Sequence, residues 1–265
     1  MLKELENYLI DGFHKVEGWV AEPIWEVLGF LDAIQRLRGI TGGVAEIGVH
    51  HGRFLFGLQA LKSDTPKAVA MDLFDNQEFN IDNSGRGAKQ QFLTNAAHYS
   101  VDPAQIEIIQ GDSLMMRQWD IDRVRDRHGR FSLFSVDGGH TVAHVRHDFD
   151  IAQELTVPGG LIIIDDYNNP FWPGVQEGIA MTFLMQNPTF VPILCGMNKL
   201  ILADISHHDI YYKALAAYFS KYPGVNMKLN TRFGWNNVSL TLPDRKPHFA
   251  VLREWQAKEI STLKI

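Results

Sequence analysis

From residue 43 onward, short apolar runs alternate with stretches in which apolar residues return every three or four positions. The runs VAEIGV (44–49), AVAMD (68–72), IEIIQGD (106–112), FSLFSVD (131–137) and GGLIIIDD (159–166) predict five strands. The unbroken apolar character of the fifth predicts a strand buried on both faces. Between the last two, Val142, Val145, Phe149 and Ala152 mark one face of a helix. FVPILCG (190–196) and NKLILAD (198–204) predict two closing strands. The turn between them is too short for a crossover, so the second is expected to run antiparallel. Ahead of this region, Ile24, Val27, Leu28, Leu31, Ile34 and Leu37 predict a helix from Pro23 to about Arg38, with the proline in its tolerated first-turn place. Core packing is its expected role, with a substrate lid or dimer contact as alternatives. Beyond residue 204, DIYYKALAAYFSKYPG (209–224) predicts a helix ended by Pro223 and Gly224. VSLTL (238–242) and HFAVLREW (248–255) fit strands or part of a terminal helix.

Strands alternating with helices predict an α/β fold: a Rossmann-like, doubly wound, mostly parallel sheet with an antiparallel closing strand, N-terminal helices and a C-terminal extension. The expected division is an N-terminal helical segment (1–40), a nucleotide-binding unit (41–205) and the extension (206–265), which is left to substrate contacts or an oligomer surface. In such sheets ligands sit beyond the carboxyl ends of the strands. Acids cluster there: Asp72, Asp112, Asp137 and Asp165 close four of the first five strands, and Glu46 lies within the remaining one.

Composition adds little to this. The 265 residues are 45% hydrophobic with a formal net charge of −6, so there is no electrostatic footprint for nucleic acid. The stretch DIDRVRDRHGR (120–130) mixes both signs and is expected to be solvated surface. One cysteine, Cys195, rules out an intrachain disulfide. The charged start lacks the apolar core of a signal peptide, and no apolar run is long enough to span a bilayer. A soluble cytoplasmic protein is the expectation.

The segment EIGVHHGRF places Glu46, Gly48 and Gly52 at the first strand–helix turn. Glycines let the backbone turn tightly and a ligand approach the peptide groups, and the helix start offers free N–H groups. A dinucleotide site would have a third glycine and no acid. Glu46 would repel a pyrophosphate but suit a cationic amino-acid head group. Asp72 is placed to accept from ribose hydroxyls and Asp112, with Ser113 beside it, from an adenine amine. Each acid taken alone fits a helix cap equally well; in order on successive strands they are more specific. His50, His51 and Arg53 lie in or beside the loop. His51 either touches the cofactor or caps the helix.

This set resembles the class I S-adenosylmethionine-dependent methyltransferases over residues 40 to 205, with Glu46, Gly48 and Gly52 as the first motif and Asp72 as the ribose acid. VDGGHTVAHVRHDF after the fourth strand and PGGLIIIDDY at the fifth are similar to the branch containing bacterial sugar and macrolide-sugar O-methyltransferases. The resemblance implies O-methylation of a small hydroxylated acceptor such as a sugar, with Mg²⁺ held by Asp137, Asp165 and Asp166. It also places Asp137 beside the cofactor. Three neighbouring carboxylates repel one another unless a cation or shared proton offsets them, which suits hard-oxygen coordination of Mg²⁺. Capping of the following segment is the alternative for Asp165 and Asp166. His140 is the leading base, since its ordinary pKa of about 6.5 suits proton abstraction near neutrality; a backbone-bonded helix-start histidine is the alternative. His144 and His147 are expected on an exposed helix face rather than as a metal pair. Two departures stand out. Gly139 replaces a second acid found in the sugar enzymes, and Val142 an aromatic residue. Phe171, Trp172 and Tyr167 fit either acceptor contacts or loop packing. A nicotinamide-dependent oxidoreductase and a non-catalytic cofactor-binding protein are the competing readings, and the carboxylate in the first turn weighs against the former.

Overall fold

The computed structural model describes residues 2–222, 224–243, 246–247, 249–250 and 252–253. Two helices lead the chain, α1 (Lys3–Asp11) and α2 (Ile24–Leu37). Five strand–helix units follow: β1 (Gly43–Ile47), α3 (Arg53–Leu61), β2 (Ala68–Asp72), α4 (Lys89–Tyr99), β3 (Ile106–Gln110), α5 (Gln118–His128), β4 (Phe131–Val136), α6 (Val142–Leu155), β5 (Thr156–Ile164) and α7 (Pro173–Met185). The chain then forms β6 (Phe190–Gly196), β7 (Lys199–Asp204), α8 (His208–Phe219), β8 (Asn226–Arg232) and β9 (Trp235–Thr241).

The described strands form one sheet in the order β3-β2-β1-β4-β5-β7-β6-β9-β8. β1 to β5 are mutually parallel, and β7 runs antiparallel to both β5 and β6, so the expected α/β class and antiparallel closing strand are both present. The β6–β7 turn is Met197–Asn198, both at positive φ, the geometry a two-residue hairpin demands. The open choice at 238–242 resolves as a strand through residue 241: β9 pairs parallel with β6, and β8 pairs antiparallel with β9. Most of the segment 248–255 lies outside the described residues. The predicted helix at 209–224 ends at Phe219, earlier than the proline and glycine suggested.

The period-2 pattern sets the core. Along β5, Leu161 and Ile163 join the apolar cluster on one face of the sheet while Ile162 and Ile164 join the other. All four are essentially buried, each contributing about 1.5–3 kcal/mol. α2 is buried along almost its whole length, polar residues included. Asp32 pairs with Lys62 at 2.6 Å and with Arg36 at 2.7 Å, and Gln35 donates to the Ser132 carbonyl at 2.9 Å. The helix is thus a core element, as its periodicity predicted. None of the described helices is long and apolar enough to cross a membrane.

One glycine fixes how closely the sheet closes at its functional rim. Gly48 has φ 85°, and a Cβ there would run into the carbonyl oxygen of Asp137. Gly48→Ala is expected to cost roughly 2–5 kcal/mol through backbone strain and the forced separation of the β1 and β4 ends. Calorimetry checks this; a melting temperature equal to that of the wild type contradicts the close approach.

Candidate active site

Because β1 to β5 are parallel, their carboxyl ends share one rim, and the acids that follow them face a common cleft of about 930 Å³. Glu46, Gly48, Asp72, Asp112, Ser113, Asp137, His140, Asp165 and Asp166 all line it. Of the expected cofactor residues, His51 and Gly52 do not. Gly52 is the left-handed N-cap of α3. His51 is buried, with Nδ1 3.3 Å from Glu17. Its neighbour His50 lines the cleft instead.

At the glycine-turn end, Glu46 is almost fully buried and its Oε2 has no hydrogen-bond partner among the described residues. Burial, followed by the charge of Asp137, pushes its pKa well above the usual carboxylate range. Asp72 accepts from the backbone N–H of His50 at 2.8 Å and of Phe74 at 2.6 Å. Those bonds fix its orientation and leave further lone pairs for a ligand. Asp112 caps a short turn, accepting from Leu114 N–H at 2.9 Å, and stands 3.5 Å from His144.

Behind this end lies a correction to the exposed-face expectation. His144 is buried because α6 turns it inward toward Asp112. Asp148, one turn further on, is fully buried among Gly138 and Ser113, and burial lifts its pKa to about 7.

At the other end, His140 is ringed by carboxylates. Its Nδ1 is 2.7 Å from Asp82, its Nε2 3.1 Å from Asp166 and 3.7 Å from Asp137. Its backbone N–H also donates to Asp82 at 2.8 Å, and its ring stacks on Trp172 with centroids 4.5 Å apart. Burial opposes the imidazolium, but the neighbouring carboxylates of Asp137, Asp166 and Asp82 override it and raise the pKa to about 11. The histidine is therefore cationic in this arrangement, which differs from the neutral base expected from its ordinary pKa. The pKa of Asp137 is pushed up to about 7, chiefly by burial and then by Asp165.

The three expected metal carboxylates separate. Asp137 and Asp166 come together with His140, donor atoms within 4.8 Å of one another. Asp165 turns away to pair with Lys199, which is buried. The topology explains this. Ile164 pairs with Leu200 across the antiparallel β5–β7 ladder, so the first residue of β7 stands beside the residue just past β5. Asp166 has a left-handed φ of 53° and is held by Asn169 at 2.9 Å and Asn198 at 2.5 Å. The sequence did not flag Asp82 and Asn198, which line the cleft, or Lys199, buried behind Asp165. Tyr167 bonds Arg232 at 2.8 Å, and Phe171 is exposed.

Residues 45–167 match the family model described as a methyltransferase domain. Over that stretch the chain is similar to methyltransferases. Within it, the chain is similar to the mycinamicin VI 2''-O-methyltransferase of Micromonospora griseorubida, 39% identical over 74 residues, which are 28% of this chain and 18% of that protein. It is also similar to the L-olivosyl-oleandolide 3-O-methyltransferase of Streptomyces antibioticus, 36% identical over 52 residues, 20% of this chain and 14% of that one. The matches thus span less than a fifth of the length of either relative. The solved O-methyltransferase NovP shares the fold, at 12% identity and a TM-score of 0.51, over 68% of this chain and 80% of that chain.

Proposed function

We propose that this methyltransferase domain transfers the methyl group of S-adenosylmethionine to a hydroxyl of a small, sugar-like acceptor, with a divalent cation assisting. The observation that carries the reading is the layout of one cleft. Asp72, Asp112 and the glycine turn line it together with Asp137, His140 and Asp166, and the donor atoms of the last three lie within 4.8 Å of one another. The relatives are named as the 2''-O-methyltransferase of mycinamicin VI and the 3-O-methyltransferase of L-olivosyl-oleandolide, and the glycosyl part of the second name supports the same acceptor class.

The residues fit the cofactor. The unpartnered Glu46 oxygen offers the acceptor that an ammonium group requires, and Gly48, packed against the Asp137 carbonyl, holds the turn close to the end of β4. In this reading Asp72 takes the ribose hydroxyls and Asp112 with Ser113 the adenine edge. S-adenosylmethionine supplies an electrophilic methyl on a sulfonium, so the chain needs only to align the acceptor oxygen and take its proton.

The residues also fit a hard cation in part. Asp137 and Asp166 present oxygens of the type Mg²⁺ prefers, whereas Asp165 is committed to Lys199. A cation there would lower the pKa of a bound hydroxyl. With Asp137 and Asp166 so engaged, His140 would keep only Asp82, on Nδ1. Its Nε2 would then be neutral and would accept the hydroxyl proton. Asp82 would hold the ring in the tautomer this requires, and Trp172 would fix its plane.

The test is transfer of labelled methyl from S-adenosylmethionine to a panel of sugar hydroxyl acceptors, with and without chelator. We expect transfer with Mg²⁺ and a loss of about 10²-fold or more after chelation. Full activity after chelation removes the metal from the reading. No transfer to any acceptor, together with binding of a nicotinamide dinucleotide, overturns the whole of it.

A further inference from the structure

A second cluster of ligating side chains lies by the glycine turn, where Glu17 and His50 line the same cleft and His51 packs behind it. Glu17 comes from the segment between α1 and α2, and His50 and His51 from the turn between β1 and α3. Their donor atoms lie within 4.8 Å of one another. We infer that Glu17, His50 and His51 form a site for a borderline divalent cation of the Zn²⁺ class, tying the segment before α2 to the glycine turn.

His51 carries the argument. It is 8% exposed, yet neither of its ring nitrogens has a hydrogen-bond partner among the described residues. Glu17 stands 3.3 Å from its Nδ1, close enough for charge attraction but not aligned as a bond. A buried imidazole with both nitrogens unsatisfied costs about 1–3 kcal/mol per group, so native structures rarely leave one without a ligand. The Nδ1 of His50 is likewise buried and unpartnered. The two rings are tilted by 35° with centroids 3.8 Å apart, a crowding that would be repulsive if both were charged.

The surroundings are preorganised. His50 adopts φ 49° because its N–H is fixed by Asp72. The Glu17 segment is pinned to α3 by Arg53, which donates to the Gly18 carbonyl and lies over the Phe13 ring at 4.1 Å. Two imidazoles and one carboxylate form a three-ligand set with an open fourth position, and imidazole selects Zn²⁺ or Co²⁺ over Mg²⁺. Ligands on tetrahedral Zn²⁺, at about 2.0–2.2 Å each, stand about 3.3–3.6 Å apart. The exposed Glu17 arm can supply that contraction.

Co²⁺ titration of the full chain tests the site through visible absorption, independently of any methyl transfer. We expect one equivalent of Co²⁺ to give the intense bands of four-coordinate cobalt, to be displaced by Zn²⁺ and to be indifferent to excess Mg²⁺. Glu17→Gln and His51→Gln should each weaken binding at least as much as the roughly 10–100-fold lost with an outer-shell partner, while Asp166→Asn should bind Co²⁺ like the wild type. Glu17 is exposed, so that variant decides the matter even if His51→Gln fails to fold. Absence of the bands, unchanged binding in Glu17→Gln, or loss of the signal in Asp166→Asn each overturns the site.

Discussion

His140→Gln is expected to lower kcat for methyl transfer by about 10²–10⁴-fold, the range a positioned proton acceptor supplies, with little change in cofactor binding. The reason is geometric. His140 is the group whose Nε2 faces both Asp137 and Asp166, and glutamine cannot take up a proton there. The same substitution has a second readout that needs no acceptor. In the cation-free protein the imidazolium offsets Asp82, Asp137 and Asp166. Its folded pKa, about 11, lies above the unfolded value of about 6.5. For a group shifted in that direction, the stabilisation is fully present below the unfolded pKa and is lost as pH rises through the folded one. The wild type should therefore lose stability progressively between about pH 6.5 and about 11. Asp137, raised to about 7, works in the same direction at the lower edge of that window. In His140→Gln the alkaline part of the slope should vanish, and the variant should be less stable near neutrality because three carboxylates are left without their counter-charge. Mg²⁺ should recover part of that loss if Asp137 and Asp166 hold it. Denaturant midpoints across the pH range check each statement. An unchanged alkaline slope would mean that His140 is neutral in the folded chain, and unchanged kcat would remove it from the reaction.

What the sequence disclosed and what it withheld follow from the range of the interactions. An acid or glycine ending an apolar run is a local signal, and parallel strands carry all such ends to one rim. The positions of Asp72, Asp112, Asp137 and Asp165 were therefore legible once the alternating pattern was recognised. The antiparallel course of β7 was legible too, because a two-residue turn permits nothing else. Asp82 was not. It lies in a polar loop between β2 and α4 with no periodicity, and it meets His140 across 58 positions of sequence. Side-chain direction within a turn was equally hidden. His50 and His51 are adjacent, yet one faces the cleft and the other packs behind it. The partition of Asp165 from Asp166 depends on which neighbour each meets, and that is decided by the register of β5 against β7, not by the dipeptide itself. β8 is largely exposed, so it lacks the apolar alternation that marks the other strands. Its place at the sheet edge comes from pairing with β9.

Lys199→Met should be the most destabilising of these changes. Lys199 is 1% exposed, pairs with Asp165 and stands 4.5 Å over the Phe54 ring. Burial opposes its charge, but Asp165, Asp137 and Glu46 together raise its pKa. It is thus a cation shared by three carboxylates, of which Glu46 and Asp165 are buried. Methionine fills similar volume without the charge, so the loss is electrostatic rather than a cavity. Removing one partner of a buried ion pair costs about 3–5 kcal/mol, which for a domain of this size lowers the melting temperature by roughly 6–20 °C. The pH dependence separates this from a packing defect. Without Lys199, Glu46 and Asp137 are held still further above their unfolded pKa values of about 4. Groups raised in that way favour folding at low pH and lose the contribution as pH rises through the folded pKa. The deficit of Lys199→Met relative to the wild type should accordingly be small near pH 5 and large near pH 8. A companion variant, Lys199→Met with Asp165→Asn, should recover part of the loss at the higher pH, since neutralising both members of a buried pair is far less costly than orphaning one. A deficit equal at both pH values, with no recovery in the double variant, would assign Lys199 to packing alone. The negative rim would then need another source of balance.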